Sequence, residues 1–222
     1  MRIDVLTLFP EMFDSLKSSI VGRALNDGLF ELGITNIRDF SKDKHSKCDD
    51  TPFGGGAGMV MTPQPLRDSI LSLKRENSKV VYLSPCGTTL TQRKVKELAQ
   101  EEHLILLCGH YEGIDQRIID LYVDEEISIG DYVLTGGELP AMVLVDSVSR
   151  MLPDVISAES TMDESFENDL LEYPQYTRPF EFEGVKVPEV LISGHHANIA
   201  KWRKEQSLAR TKERRPDLLK GD

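Results

Sequence analysis

Alternating strand-like and helix-like segments fill the first 150 residues and constrain the fold of this chain more than any other feature. Apolar runs at 2–9 (RIDVLTLF), 79–85 (KVVYLSP) and 103–109 (HLILLCG) have the length and composition of buried strands. Residues 62–76 and 89–102 between them carry the spacing and end signals of helices. This β-α-β-α order predicts an α/β fold, a mostly parallel sheet with helices on its faces.

Three other segments complete the predicted elements. Residues 10–28, with Pro near the start and Gly at the end, predict one helix, and residues 29–40 predict a second strand. Residues 187–220 predict a mainly helical, basic region whose buried stripe contains Ile199, Trp202 and Leu208.

An acidic stretch separates the α/β pattern from the basic one. Residues 151–177 contain seven Asp or Glu and no Lys or Arg, with Pro153 and Pro174 near the two ends. Such a composition is typical of an exposed linker. We therefore expect an α/β domain over 1–158, an acidic linker over 159–173 and a helical domain over 174–222.

Charge is distributed unevenly along the chain. The net charge of −11 argues against a nucleic-acid partner, because phosphates are bound by Lys and Arg. Residues 201–222 nevertheless carry eight Lys or Arg against four acids, which leaves −15 on the other 200 residues. A nucleic-acid contact, if present, is expected at this C-terminal end.

The cysteine content indicates a reducing compartment, and the hydropathy indicates neither a membrane span nor a signal peptide. Three cysteines without a CxxC spacing support neither a disulfide framework nor a zinc site, which predicts a cytoplasmic setting. No apolar run approaches the roughly 20 residues of a membrane span. The opening MRIDVLTLFPEMFD contains three acids and predicts a folded strand rather than a signal peptide.

Three of the predicted strands end in glycine-containing turns. These are YLSPCG at 82–87, CGHYEG at 108–113 and ISIGDYVLTGGELP at 127–140. Ligands of open parallel sheets bind beyond the carboxyl ends of strands, and glycine lets backbone approach them closely. Each turn alone is ordinary loop punctuation, but together they predict one ligand site. The common dinucleotide and P-loop fingerprints are absent, and FGGGAGM at 53–59 favours a loop that closes over a substrate.

Five ordered motifs resemble one family over the length of the chain. They are GHYEGIDQR (109–117), SIGDYVLTGGELPAM (128–142), DSVSRMLP (146–153), YPQYTRP (173–179) and RTKERRPDLL (210–219). Together they resemble the bacterial tRNA (guanine-N1)-methyltransferases of the SPOUT superfamily. The resemblance implies a SPOUT-type α/β domain with a deep trefoil knot, a small C-terminal helical domain and an obligate homodimer.

The resemblance also implies an activity and a cofactor. The reaction is transfer of a methyl group from S-adenosyl-L-methionine to N1 of guanosine 37 of tRNA, beside the anticodon, where another guanosine precedes it. Matching motifs place the cofactor contacts at Tyr82, Leu83, Ser84, Pro85, Gly109, Glu112, Ile129, Gly130, Asp131, Tyr132, Val133, Leu134, Gly136, Gly137 and Pro140.

Catalytic roles follow from the resemblance and from the chemistry of N1. A protonated N1 needs a general base, and negative charge that grows on O6 needs a cation. Arg150 matches the family's catalytic arginine. The family usually has Asp before Ser-Phe; this chain has Glu164 there and Asp163 one position earlier, so either is the candidate base, with Glu164 preferred. The family also uses Mg²⁺, for which the sequence assigns no ligands.

The basic residues and the class of protein each have more than one interpretation. The resemblance assigns the anticodon stem-loop to seven basic residues, although a solvated helix face is the simpler interpretation of each; they are Lys201, Arg203, Lys204, Arg210, Lys212, Arg214 and Arg215. His110 stands where the family usually has Arg. The alternatives are another SPOUT enzyme, a non-catalytic RNA-binding protein with a degenerate cofactor pocket, and a nicotinamide dehydrogenase.

Overall fold

A computed structural model of the chain describes residues 1–157, 164–166 and 169–219. These residues form two compact units, Met1–Ile156 and Ser157–Asp222. Much of the predicted acidic linker, including Asp163, lies outside the described residues.

The first unit is built on a five-stranded sheet in the order β2-β1-β6-β5-β7, in which every neighbouring pair is parallel. The strands of this sheet are β1 (Arg2–Thr7), β2 (Glu31–Asn36), β5 (Ser78–Thr89), β6 (His103–Cys108) and β7 (Glu125–Ser128). Two short strands, β3 (Asp49–Asp50) and β4 (Val60–Met61), form a separate antiparallel pair. The predicted parallel α/β fold is confirmed.

The central strand β6 explains why the sheet is buried on both faces. All six of its residues are buried, as a continuous apolar run in a parallel sheet requires. Its side chains alternate between two core clusters: Leu104 and Leu106 pack in one, and Ile105 and Leu107 in the other. Each cluster is closed by helices on its own side of the sheet.

Five α-helices cover the two faces. They are α1 (Ser19–Asn26), α2 (Pro63–Leu73), α3 (Gln92–Leu98), α4 (Gln116–Tyr122) and α5 (Glu138–Ser149). Helices α1, α3 and α5 contribute to one core cluster, and α2 and α4 to the other. Within the described part of the chain, no helix combines the length and apolar character needed to cross a bilayer.

The predicted single helix over 10–28 is wrong. A 3-10 helix, Pro10–Lys17, is followed by an extended Ser18, and α1 begins at Ser19, whose φ is 59°. The two helices approach so closely that a Cβ on Gly22 would collide with the carbonyl oxygen of Lys17. The predicted strand over 29–40 is also shorter, because residues from Ile37 onward form a 3-10 turn.

The second unit contains the hairpin β8 (Glu181–Phe182) and β9 (Val185–Lys186) and the long helix α6 (His196–Arg214). The predicted apolar stripe of α6 is partly wrong, because Leu208 is 38% exposed and the buried residues are Ser207 and Thr211.

A hydroxyl group explains this choice of buried residue. The Thr211 hydroxyl accepts a hydrogen bond from the Leu171 N–H at 2.9 Å and donates one to the Ser207 carbonyl at 2.7 Å. Residue 211 therefore satisfies backbone polar groups that an apolar side chain would leave unpaired.

A buried polar network joins the amino ends of β1, β5 and β6. The Asp4 carboxylate accepts hydrogen bonds from Arg2 Nε at 2.6 Å and lies 2.9 Å from His103 Nε2, while His103 Nδ1 is 2.7 Å from Ser78 Oγ. Burial alone would raise the pKa of Asp4, but the hydrogen bonds from Arg2 and His103 outweigh it and hold that pKa below its ordinary 3.8.

The lowered pKa of Asp4 predicts a specific acid sensitivity. A carboxyl with a lower pKa in the folded state stabilises the fold above its unfolded pKa, and this stabilisation is lost as the pH falls through the folded pKa. We expect Asp4→Asn to lower the free energy of unfolding at neutral pH by about 2 kcal/mol, because Arg2 and His103 lose their partner. Urea unfolding between about pH 2 and pH 7 measures this.

The same measurement contains its control. Below pH 3.8 the difference between wild type and Asp4→Asn should shrink, whereas the exposed Asp39→Asn should track wild type throughout. A constant difference at every pH would contradict the assignment of this acid sensitivity to Asp4.

Candidate active site

The three glycine-containing turns meet where β6 and β7 end and where β5 is interrupted after Leu83. They enclose a small cavity of about 70 Å³ with mostly apolar walls. Its lining residues are Leu83, Ser84, Pro85, Gly109, Ile127, Ser128, Ile129, Gly130, Tyr132, Leu134, Gly136, Gly137 and Pro140. The expectation that the turns line one site is confirmed as geometry.

The first turn is a break within β5. Strand β5 pairs with β7 up to Leu83 and again from Thr88, so that the residues between them are looped out of the ladder. The Ser84 hydroxyl accepts the N–H of Cys86 at 3.1 Å and closes the loop. A Cβ on Gly87 would collide with the backbone nitrogen of Ile127, so the chain can rejoin β7 only with glycine at this position.

The second and third turns are in direct backbone contact. His110 and Gly136 form an isolated antiparallel bridge, and the Gly137 N–H donates to the Gly109 carbonyl at 2.9 Å. Gly137 has an ordinary φ of −83°, so its backbone conformation does not demand glycine. Space does, because a Cβ there would lie 2.7 Å from the Cα of Cys108.

The outer wall of the cavity is a loop that begins at Gly130. This glycine has φ of 150°, and the Ser128 hydroxyl both accepts its N–H and donates to its carbonyl. Beyond it, Tyr132 is 55% exposed and Leu134 is 37% exposed although both line the cavity. The wall is thus a thin layer between the cavity and solvent.

Four expected cofactor contacts do not line the cavity, and they are Tyr82, Glu112, Asp131 and Val133. Tyr82 is buried beneath Gly109, and burial raises the pKa of its phenol to about 12. Glu112 and Val133 are exposed, and the Glu112 side chain lies against Gly58 at the end of the glycine-rich loop. Their predicted roles remain predictions.

Sequence reasoning missed a buried carboxylate beside the cavity. Glu138, the first residue of α5, is only 2% exposed. One of its oxygens accepts the Thr7 hydroxyl at 2.7 Å, and the other lies 2.7 Å from His110 Nε2. The pair joins the start of α5 to the turn after β6. The sequence indicates this residue only as an acid that directly follows two glycines at the start of a helix.

The second unit holds a separate and larger cavity of about 900 Å³. Its walls contain both charged and apolar side chains, and its lining residues are Glu164, Leu170, Leu171, Tyr173, His196, Ile199, Ala200, Arg203, Lys204 and Ser207. One candidate base, Glu164, therefore faces a cavity, while the other, Asp163, lies outside the described residues.

The candidate catalytic residues belong to different units. Arg150 is half-buried and directly follows the last residue of α5 in the first unit. Glu164 belongs to the second unit. Within the described ranges, no group of three His, Cys, Asp or Glu side chains is placed to hold a metal ion.

The basic residues of α6 and its C-terminal flank are of two kinds. Lys201, Lys204, Lys212 and Arg214 are exposed. Arg203 and Arg210 are half-buried, and the Arg210 guanidinium donates to the Glu172 carbonyl at 3.0 Å. Arg210 therefore already has a structural role that the sequence did not indicate.

Comparisons with known proteins agree with the motif resemblance. Residues 1–221 match the family described as tRNA (Guanine-1)-methyltransferase TrmD. The tRNA (guanine-N(1)-)-methyltransferase of Ruminiclostridium cellulolyticum is 62% identical, over 99% of this chain and 96% of that relative.

Two further relatives carry the same name. They are proteins of Clostridium perfringens, 60% identical over 99% of this chain and 93% of the relative, and of Halalkalibacterium halodurans, 60% identical over 100% and 92%. With matches of this extent, the chain belongs to the tRNA (guanine-1)-methyltransferase TrmD family.

Proposed function

We propose that this protein transfers a methyl group from S-adenosyl-L-methionine to N1 of guanosine 37 of tRNA, where a guanosine precedes it. The observation that carries the proposal is the cavity formed by three glycine turns in a chain of this family. The family match over residues 1–221 argues against the two alternatives of another SPOUT enzyme and a nicotinamide dehydrogenase.

The residues around the cavity suit S-adenosyl-L-methionine. Apolar walls from Leu83, Ile129 and Leu134 favour burial of an adenine ring, and the glycines of the lining let the ring approach the backbone closely. A cavity of about 70 Å³ is smaller than the whole cofactor. We infer that the thin wall carrying Tyr132 and Leu134 moves outward on binding, since the core does not depend on these exposed side chains.

The chemistry assigns one task to each polar group. Bound S-adenosyl-L-methionine supplies an electrophilic methyl group on a sulfonium. Glu164 would accept the N1 proton of guanine, and the electron pair of the N1–H bond would form the new N–CH₃ bond while the S–CH₃ bond breaks and its electron pair returns to sulfur, which leaves S-adenosyl-L-homocysteine. Arg150 stabilises the negative charge that grows on O6 as the proton leaves.

Further properties belong to the same proposal. We propose a homodimer in which α5 contributes the exposed apolar residues Leu139 and Val143, and a trefoil knot formed where residues 128–152 pass the turns after β5 and β6. Mg²⁺ dependence is also proposed, with no ligand assigned, because Mg²⁺ often uses one or two carboxylates and substrate phosphates. The anticodon stem-loop as partner implies the cytoplasm.

Nucleoside mass spectrometry tests the proposal directly. Incubation of the protein with S-adenosyl-L-methionine and tRNA should yield 1-methylguanosine in tRNAs with guanosines at both 36 and 37. A transcript with adenosine at 36 serves as the matched control and should stay unmodified. A different methylated nucleoside, or none, would overturn the proposed function.

Close packing at Gly137 predicts a strong effect on cofactor affinity. A methyl group in Gly137→Ala must displace the backbone of Cys108 and Gly109, which forms the cavity floor. We expect S-adenosyl-L-methionine to bind at least about tenfold more weakly by calorimetry. Val185→Ala, at an exposed residue of the β8–β9 hairpin, should leave this affinity unchanged. If Gly137→Ala bound S-adenosyl-L-methionine as wild type does, the proposal that the cofactor occupies this cavity would be wrong.

The two candidate bases are separated by single-turnover kinetics. Because an amide cannot accept the N1 proton, Glu164→Gln should lower the methylation rate by roughly 100-fold or more, with S-adenosyl-L-methionine affinity retained. Asp163→Asn should remain near the wild-type rate. An active Glu164→Gln enzyme together with an inactive Asp163→Asn enzyme would transfer the role of base to Asp163.

A further inference from the structure

Arg203 differs from the other cations of α6 in its surroundings. Its guanidinium lies over the ring of Tyr173, 4.7 Å from the ring centroid, on the wall of the larger cavity. Its Nε atom is buried and has no hydrogen-bond partner, the sole such side-chain atom among the residues that the structure describes. A buried N–H without an acceptor is unfavourable, so this atom points to a ligand that supplies one.

The stacked platform is held in place by backbone contacts. The Leu171 N–H donates to Thr211, and the Glu172 carbonyl accepts from Arg210, about two turns of α6 beyond Arg203. The segment that contains Tyr173 is thereby attached to α6 at two points. The aromatic ring thus fixes the plane of the guanidinium at the cavity wall, and a guanidinium donates its N–H groups within that plane, edge to edge with a base.

The charges around the cavity select among the possible ligands. Arg203, Lys204 and His196 supply donors, whereas Glu164 supplies an acceptor. Phosphate has no donor for a carboxylate and would be repelled by it. Guanine alone among the four bases combines the acceptors N7 and O6 on one edge with the donors N1–H and N2–H₂ on the next.

We propose that this cavity receives the base of the guanosine to be methylated, and that Arg203 donates a hydrogen bond from Nε to N7 of that base. This inference rests on the proposed function and deepens it, because it assigns the selection of guanine to Arg203 rather than a contact with phosphate. A volume of about 900 Å³ lies within the range of ligand pockets and accommodates a nucleotide extruded from the anticodon loop.

Replacement of a single atom in the RNA tests the proposal. Two transcripts are compared, one with guanosine and one with 7-deazaguanosine at position 37; the second lacks the N7 acceptor but keeps N1 and O6. Wild-type enzyme should methylate the 7-deaza transcript with kcat/KM lowered roughly tenfold. Arg203→Leu should methylate both transcripts equally, at a rate below that of wild type with guanosine, and should bind S-adenosyl-L-methionine as wild type does.

A control on the same helix distinguishes base recognition from phosphate contact. Lys212→Ala removes an exposed cation and should lower kcat/KM for both transcripts by one common factor, with a reduced salt dependence. If Arg203→Leu behaves like Lys212→Ala and retains the tenfold preference for guanosine, Arg203 contacts the backbone and the inference is wrong.

Failure of the inference is separable from failure of the proposed function. A wild-type enzyme that methylates both transcripts equally retains the proposed activity but has no contact to N7 of the target. If 7-deazaguanosine at position 36 instead lowers the rate, the cavity receives the preceding guanosine, and the assignment to the target base is overturned. Absence of 1-methylguanosine from the ordinary transcript contradicts the proposed function itself.

Discussion

The backbone contact between Gly137 and Gly109 is the constraint on which the candidate cofactor site depends. Two segments about 28 residues apart in the chain come so close there that Gly137 has no room for a side chain, while a Cβ on Gly109 would collide with Tyr82. The contact places the start of α5 directly against the turn after β6. From this arrangement follow the bare cavity walls and the position of Glu138, whose carboxylate joins Thr7 on β1 to His110 in the turn.

The amino ends and the carboxyl ends of the strands have different roles. The network of Arg2, Asp4 and His103 at the amino ends of the strands is saturated with internal hydrogen bonds and stabilises the fold. At the carboxyl ends, glycine, proline and apolar side chains form most of the cavity wall. The amino ends of the strands thus stabilise the fold, and their carboxyl ends form the candidate binding site. Ligands of open α/β sheets bind at the carboxyl ends of strands.

Much of this arrangement is predictable from the sequence, and the exceptions have physical reasons. Buried strands such as β6 are continuous apolar runs, and the glycine turns follow them directly. The break at Ser18 and Ser19 and the pairing of Glu138 with His110 depend on contacts between distant segments, which local patterns do not encode. In the sequence Arg203 looks like any other cation of α6; its stacking on Tyr173 and its buried Nε without a partner are visible only in the structure.

The central claim is that S-adenosyl-L-methionine binds in the glycine turns of the first unit rather than in the larger cavity of the second. Amide hydrogen exchange of the full chain, with and without the cofactor, tests this without any mutation. The account predicts slower exchange in residues 83–87, 109–113 and 128–137 and unchanged exchange in α6. Protection confined to residues 170–173 and to α6 would contradict it.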